Sequence, residues 1–569
     1  METKNMYLQK PWLEFYPSDV PTHVDVSSVS IPEAFDQTVK HVEHKPAIVF
    51  YGKKVSYKEL KEQIDRFAAA LVGMGLKKGD LLALYLTNSP QFIIAYFAAL
   101  KAGAAVTPIS PLYTSVEVKY QLEDSGARNI VCLDILYDNV EKTGVEMDNI
   151  IVTNIGEYLP PLKKMLGKSL LRKLSSELEI PIPKILKKKG VHQFQDLLKK
   201  NSPLPAAIEI DPKEDIATLP YTGGTTGPAK GVMLTHYNLL VNEAMVRSYF
   251  PFLGSGEEVV ICFMPLYHIY GQVVIMLDSL LQGNMLVVFT TPDFDDILYS
   301  IEMHRATIFY GVPTVFEVLK EHEKTDRADW KRFKLIVCAA DTLHETTVQE
   351  WENRTGTKII EGYGMTELSP ASHMNPIHRP KVTSFGIPLP GVSAAVVDPD
   401  TLEFVPPGQT GELIVTGPNV MKGYWYKEEE TKRSFLEVGE ESWFRTGDLV
   451  KMDEDGYFYF YDRSKDLIKY KGYSVFAREI EDVLYNHPQV KAAGVIGVPE
   501  PRVGHIIKAH VVLQSEARGK ISEEEIKDYC KERLAEYKVP KIVEFRGELP
   551  KTDVGKVSRR ELREELEDE

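Results

Sequence analysis

Apolar runs that alternate with amphipathic stretches constrain this chain more than any other feature. Residues 46–51 (PAIVFY) and 55–57 (VSY) flank Gly52-Lys53-Lys54 and read as a hairpin. Ser56 and Glu59 have capping-box spacing, which predicts a helix ending near Gly75. Asp80–Leu86 reads as a buried strand, Phe92–Leu100 as an apolar helix and Ala104–Ile109 as a second strand. Similar alternation recurs over 258–340. Strands and helices in turn imply α/β layers around mainly parallel sheets. The last hundred residues read as a separate, small α+β unit. Its strands are Val495–Val498 and Ile507–Leu513, and its helix opens at Ser522 and Glu525 and presents Ile526, Cys530 and Leu534 on one face.

The 569 residues carry 67 basic and 82 acidic side chains, a net charge of −15. That balance disfavours a dedicated nucleic-acid binder. Hydrophobic residues make up 43%, too many for a disordered chain. Cys132, Cys262, Cys338 and Cys530 lie far apart, which argues against a disulfide framework or zinc ribbon and fits a reducing compartment. The N-terminus lacks a signal pattern, and the longest apolar run, Phe92–Ile109, is broken by Lys101. The expected location is the cytoplasm. One segment departs from the acidic average. Residues 160–200 hold eleven Lys or Arg against three acids, with Leu162, Leu166, Leu170, Leu174 and Leu178 four apart. A stripe of this kind either packs on the parent domain or lies on an anionic membrane surface, which would make the protein peripheral at the inner membrane face.

Chemistry enters at residues 216–236. An apolar strand runs into Thr222-Gly223-Gly224-Thr225-Thr226-Gly227-Pro-Ala-Lys230-Gly231. Glycines let backbone N–H groups converge on an anion, the threonines add hydroxyls and Lys230 adds charge. The Gly-Lys-Ser/Thr of a Walker A loop is missing, which disfavours a kinase. The loop resembles the signature of the adenylate-forming superfamily of acyl-CoA synthetases, luciferases and peptide-synthetase adenylation domains. Its Gly-Gly and Ala-Lys variants are most similar to bacterial-type long-chain fatty-acid–CoA ligases. Further motifs follow in the family's order: Pro265–Gly271, Glu361–Glu367, Gly411-Glu-Leu with Gly423-Tyr-Trp, Phe444–Asp448, Asp462–Gly472 and Pro550–Lys556.

The resemblance implies a large N-terminal domain of several subdomains, 1–462, and a small mobile C-terminal domain, 463–569. It implies activation of a fatty acid by ATP and Mg²⁺ to an acyl adenylate, then transfer to CoA as co-substrate. Lys556 would bridge carboxylate and α-phosphate, Thr366 would bond phosphate and Glu367 would hold Mg²⁺. His268 would stand beside the acyl carboxylate. Gly362, Tyr363 and Gly364 would form the adenine platform, with Asp448 and Arg463 on the ribose. Lys465 would be the hinge, and Lys471 and Gly472 would face CoA. Tyr267, Tyr270, Gln272, Tyr310, Gly311 and Phe385 are the expected acyl-pocket residues. An aryl or short-chain acyl-CoA ligase is the rival within this chemistry, and a non-catalytic acyl- or membrane-binding protein the rival outside it. The match loosens at Cys338-Ala-Ala-Asp341-Thr342-Leu343, where Asp341 and Thr342 replace small or cyclic residues. His505 and Ala477 are lesser departures.

Overall fold

The computed structural model describes residues 6–26, 28–160, 188, 190–204, 208–222, 228–463, 466–470, 473–500, 504–552 and 556–567. The leucine stripe between 162 and 178, the loop 223–227, Lys465, Lys471 and Gly472 lie outside these residues.

Two nine-stranded sheets form the body of the molecule. The first runs in parallel from Pro46–Phe50 through Met285–Val288, Val259–Cys262, Ile308–Gly311 and Leu335–Cys338 to Ile360–Gly364. Antiparallel strands close both of its ends. The expected hairpin is one of them: Lys53–Ser56 returns on Pro46–Phe50, and Gly52 takes φ +94° at the turn. The second sheet holds Leu81–Tyr85, Ala105–Pro108, Asn129–Leu133, Asn149–Thr153 and Val191–Gln193, with Ile216–Thr218 on its other side. Strands buried on both faces read as continuous apolar runs, as Leu81–Tyr85 and Asn129–Leu133 do. The helix Pro90–Lys101 is buried along its whole length, which explains its apolar composition on every side.

The expected helix after Ser56 spans Tyr57–Gly73, and both arms of its capping box form. A third, antiparallel sheet of five strands covers 393–463. One core joins buried residues from Tyr7 to Phe458. Beyond it lies a separate five-stranded sheet, Ile468–Tyr470, Tyr473–Val475, Val490–Glu500, Gly504–Leu513 and Ile542–Arg546. This unit has its own core, which includes Ile480, Val495, Ile507, Ile526 and Cys530. The fold is therefore α/β, with a large body and a small α+β unit at the C-terminal end. No helix among the described residues is long and apolar enough to cross a membrane.

Candidate active site

A cavity of about 600 Å³ opens where the two large sheets, the third sheet and the C-terminal unit meet. Its floor is the strand Ile360–Gly364, which carries the Glu-Gly-Tyr-Gly motif. The glycines there are steric requirements. A Cβ on Gly364 would stand 2.0 Å from the Pro370 carbonyl oxygen, and one on Gly362 would stand 2.7 Å from Met374 Sδ.

Tyr363 projects between these glycines. Its phenol donates to Asp448 Oδ2 at 2.6 Å, and Phe385 stacks on its ring at 4.5 Å and 29°. Arg463 Nε lies 3.3 Å from Asp448 Oδ1, and this carboxylate holds the guanidinium pKa above its ordinary value. The turn bearing Asp448 is built by Glu412, a buried carboxylate. Glu412 accepts from Arg445 Nη2 at 2.5 Å and from Gly447 N–H at 3.2 Å. Thr446 Oγ1 in turn donates to the Leu413 carbonyl and accepts from Asp448 N–H. The Gly411-Glu-Leu motif thus works as the buttress of the Arg-Thr-Gly-Asp loop.

At the other polar end stand Thr222, Lys230, Thr366 and Glu367. Lys230–Thr235 is a strand that pairs with Gly423–Tyr424 and brings Lys230 over the Tyr424 ring at 5.0 Å. Lys230 also pairs with Glu430. Tyr424 donates to Glu367 Oε1 at 2.9 Å. Glu367 is 5% exposed, and burial raises its pKa. A single buried carboxylate beside a threonine hydroxyl suits Mg²⁺, which takes one or two carboxylates and completes its shell with water and phosphate oxygens. No group of three His, Cys, Asp or Glu side chains that could form an all-protein cage occurs among the described residues.

The third wall is apolar: Ile269, Tyr270, Val274, Val337 and Ala371. His268 sits at its polar edge with Nδ1 accepting from Tyr270 N–H at 3.3 Å. Burial, with the Lys556 charge adding to it, drives its pKa down to about 4, so the imidazole is neutral at physiological pH. Lys556 reaches the same cavity from the C-terminal unit, and burial lowers the pKa of its ammonium.

Most expected site residues therefore converge. Thr222, Lys230, His268, Gly362, Tyr363, Gly364, Thr366, Glu367, Asp448, Arg463 and Lys556 all line one space, and so does Tyr270. The expected acyl residues divide. Gln272 is fully buried and accepts from Thr218 Oγ1 at 3.2 Å, Tyr310 lies behind Tyr270 with ring centroids 6.1 Å apart, and neither reaches the lining. Tyr267 and Gly311 also stand off the lining, and Phe385 serves as the backing of Tyr363. Sequence reasoning did not single out Tyr424, Glu412 or Val274. Tyr424 and Glu412 were inside quoted motifs, but the hydrogen bonds that give them their place cross between strands far apart in sequence. Val274 sits two residues past the expected Gln272, on a π-helical turn, Gly271–Leu277, which shifts the side-chain phase.

Residues 35–425 match the family described as AMP-binding enzyme, and 479–556 match the AMP-binding enzyme C-terminal domain. The chain is 39% identical over 566 residues to a long-chain-fatty-acid–CoA ligase of Bacillus subtilis (strain 168), covering 98% of this chain and 99% of that protein. Identity to a long-chain-fatty-acid–CoA ligase of Escherichia coli O6:H1 is 37%, covering 98% of both. The crystal structure of ATP-bound MatB from Rhodopseudomonas palustris superposes with a TM-score of 0.81 at 31% identity, covering 95% of this chain and 99% of that one.

Proposed function

The chain belongs to the AMP-binding enzyme family, and we propose that it is an AMP-forming fatty-acid–CoA ligase. The observation that carries this reading is a single cavity whose lining passes from Lys230 and Glu367 through Lys556 to an apolar wall. A carboxylate oxygen attacks the α-phosphorus of ATP, the bond to pyrophosphate breaks, and an acyl adenylate remains. The thiol of CoA then attacks the acyl carbonyl and AMP departs.

Each residue has a task in this sequence. Tyr363, backed by Phe385, offers a flat face to adenine. Asp448 exchanges its bonds with Tyr363 and Arg463 for bonds to the two ribose hydroxyls. Lys230 and the neighbouring loop receive the β- and γ-phosphates. Glu367 and Thr366 would hold Mg²⁺, which neutralises phosphate charge when bound. Lys556 sets a positive charge between two anions that would otherwise repel, the kind of preorganised charge that stabilises a transition state. His268 is neutral and shapes the carboxylate position without taking a proton. In the second step the C-terminal unit turns about Lys465, Lys556 withdraws, and the Lys471-Gly472 loop approaches with CoA.

The substrates are thus a fatty acid, ATP and CoA. We propose that the protein is cytoplasmic, with peripheral membrane contact through 160–200. Cosedimentation with anionic liposomes checks that contact: deletion of 160–189 should lower binding with turnover of soluble acids retained, and unchanged binding would return the segment to a packed insertion. The function itself is tested by product analysis with acids from acetate to oleate and 4-coumarate. The reading expects AMP, not ADP, with a maximum at medium or long chains. A maximum at 4-coumarate would keep the chemistry and replace the substrate, and ADP would overturn the reading.

A further inference from the structure

The loop Cys338–Leu343 is where the sequence departs from the pattern of the family it resembles, and its place in the fold gives the departure a use. Ala339 and Ala340 line the cavity, whereas Asp341 turns toward the C-terminal unit. Arg478 Nη1 lies 3.6 Å from Asp341 Oδ1. Three residues on, the His344 ring meets the Tyr485 ring at 4.3 Å, and His344 Nδ1 is 3.8 Å from Asp482. All three partners sit on one helix, Ala477–Tyr485. The body holds its side of this contact by local backbone geometry. Ala340 adopts φ +75°, a left-handed conformation that a non-glycine residue rarely takes without surrounding support. Thr342 N–H donates to Asp341 Oδ1 at 2.9 Å and fixes the carboxylate.

The same carboxylate acts on Lys556. Burial disfavours the Lys556 ammonium, and Asp341 supplies the largest opposing charge. Asp341 thus touches the C-terminal unit at its docking helix and bears electrostatically on the lysine which that docking delivers.

We propose that Asp341 is a positioning residue for adenylate formation: it latches the helix Ala477–Tyr485 to the body in the orientation that places Lys556 in the cavity. This rests on the two-step reading above. The latch has to open at every turnover. Its geometry suits that: the pair stands 3.6 Å apart with the Asp341 side chain 33% exposed, and Arg478 keeps a closer partner, Asp482 at 2.8 Å, on its own helix, so the contact across the units is worth little on its own. A turn of the C-terminal unit carries Arg478 and Lys556 away together, so Asp341 has no task in the thiol step.

The test separates the half-reactions in the full-length enzyme, using pyrophosphate exchange for the first and thioester formation from supplied acyl adenylate for the second. Asp341→Ala should lower kcat of the first about fivefold, with KM for ATP and the rate of the second each within about twofold of the parent. Asp341→Asn keeps the shape and loses the charge, and carries the same expectation should the alanine variant fold poorly. Arg478→Ala in either background should add nothing to the first-step loss already caused at Asp341. Equal losses in both half-reactions, full additivity with Arg478→Ala, or a first step at parental rate would overturn the latch. A parent enzyme that makes no AMP with any acid would instead overturn the ligase reading beneath it.

Discussion

The body and the C-terminal unit are held together in different ways, and the difference bears directly on how the enzyme works. Within the body a single core runs from Tyr7 to Phe458, so the residues proposed to bind nucleotide share one frame. The C-terminal unit keeps a separate core, and where it meets the loop beside the cavity its contacts are polar or a single tilted ring pair: Arg478 with Asp341, His344 with Asp482 and Tyr485. At its root, Arg559 ties Asp462 and Glu481 at 2.5 Å each, which holds the unit near the chain crossing without sealing the interface. Displacing apolar surface from a packed core costs roughly 25 cal/mol per Å², whereas part-exposed ion pairs exchange readily with water. In the proposed two-step cycle, groups needed throughout sit on the body, and the group needed for one step sits on the unit proposed to turn.

The largest expected effect tests the body. Asp448→Ala should slow both half-reactions, each by about 100-fold in kcat/KM, because the ribose it is proposed to hold is present in both. A loss confined to one step would break the comparison. Next is the apolar wall, also on the body. Val274→Trp should lower kcat/KM for long acids about tenfold relative to short ones in both steps, read from a chain-length series; an unchanged profile would place the acyl chain elsewhere.

The pH dependence probes the mobile side. In the proposed first step Lys556 works as an ammonium, and its pKa lies below the ordinary lysine value because of burial. Asp341 and Asp448 oppose that shift, while Arg463 and Arg478 add to it. Adenylate formation should therefore fall as pH rises, beginning below the ordinary lysine range, and thioester formation from supplied adenylate should lack that limb. The smallest effect is on stability. His373 is fully buried in the body against Phe385 and Phe458, and burial pushes its pKa down to about 3. A histidine depressed in the folded state contributes full stability above its unfolded value near 6.5, and that contribution is lost as pH falls toward 3. Urea midpoints at pH 7 and 5 should show a loss of about 2 kcal/mol from this group, absent in His373→Leu.

Much of this was legible in the sequence because the signals are local. The hairpin at 46–57, the capping boxes of Ser56 with Glu59 and of Ser522 with Glu525, and the strand–helix alternation each depend on residues within a few positions of one another, and they appear close to the expected bounds. The polar residues of the cavity were legible for another reason: phosphate, ribose and metal chemistry accept few residue types, so the motifs announce themselves. The apolar wall of the cavity was less legible. Gln272, Tyr310 and Phe385 are near the cavity in sequence terms, yet a π-helical turn and the stacking of Phe385 on Tyr363 decide which side chains face inward. Asp341 was visible only as a mismatch, since its partners Arg478 and Lys556 lie more than a hundred residues away in the other unit.

The most direct test of the account is Lys556→Ala assayed separately in the two half-reactions. The account predicts a loss of about 100-fold or more in pyrophosphate exchange, with thioester formation from supplied acyl adenylate within about twofold of the parent. Equal loss in both steps would contradict it, for Lys556 would then belong to the fixed machinery and not to a unit that leaves.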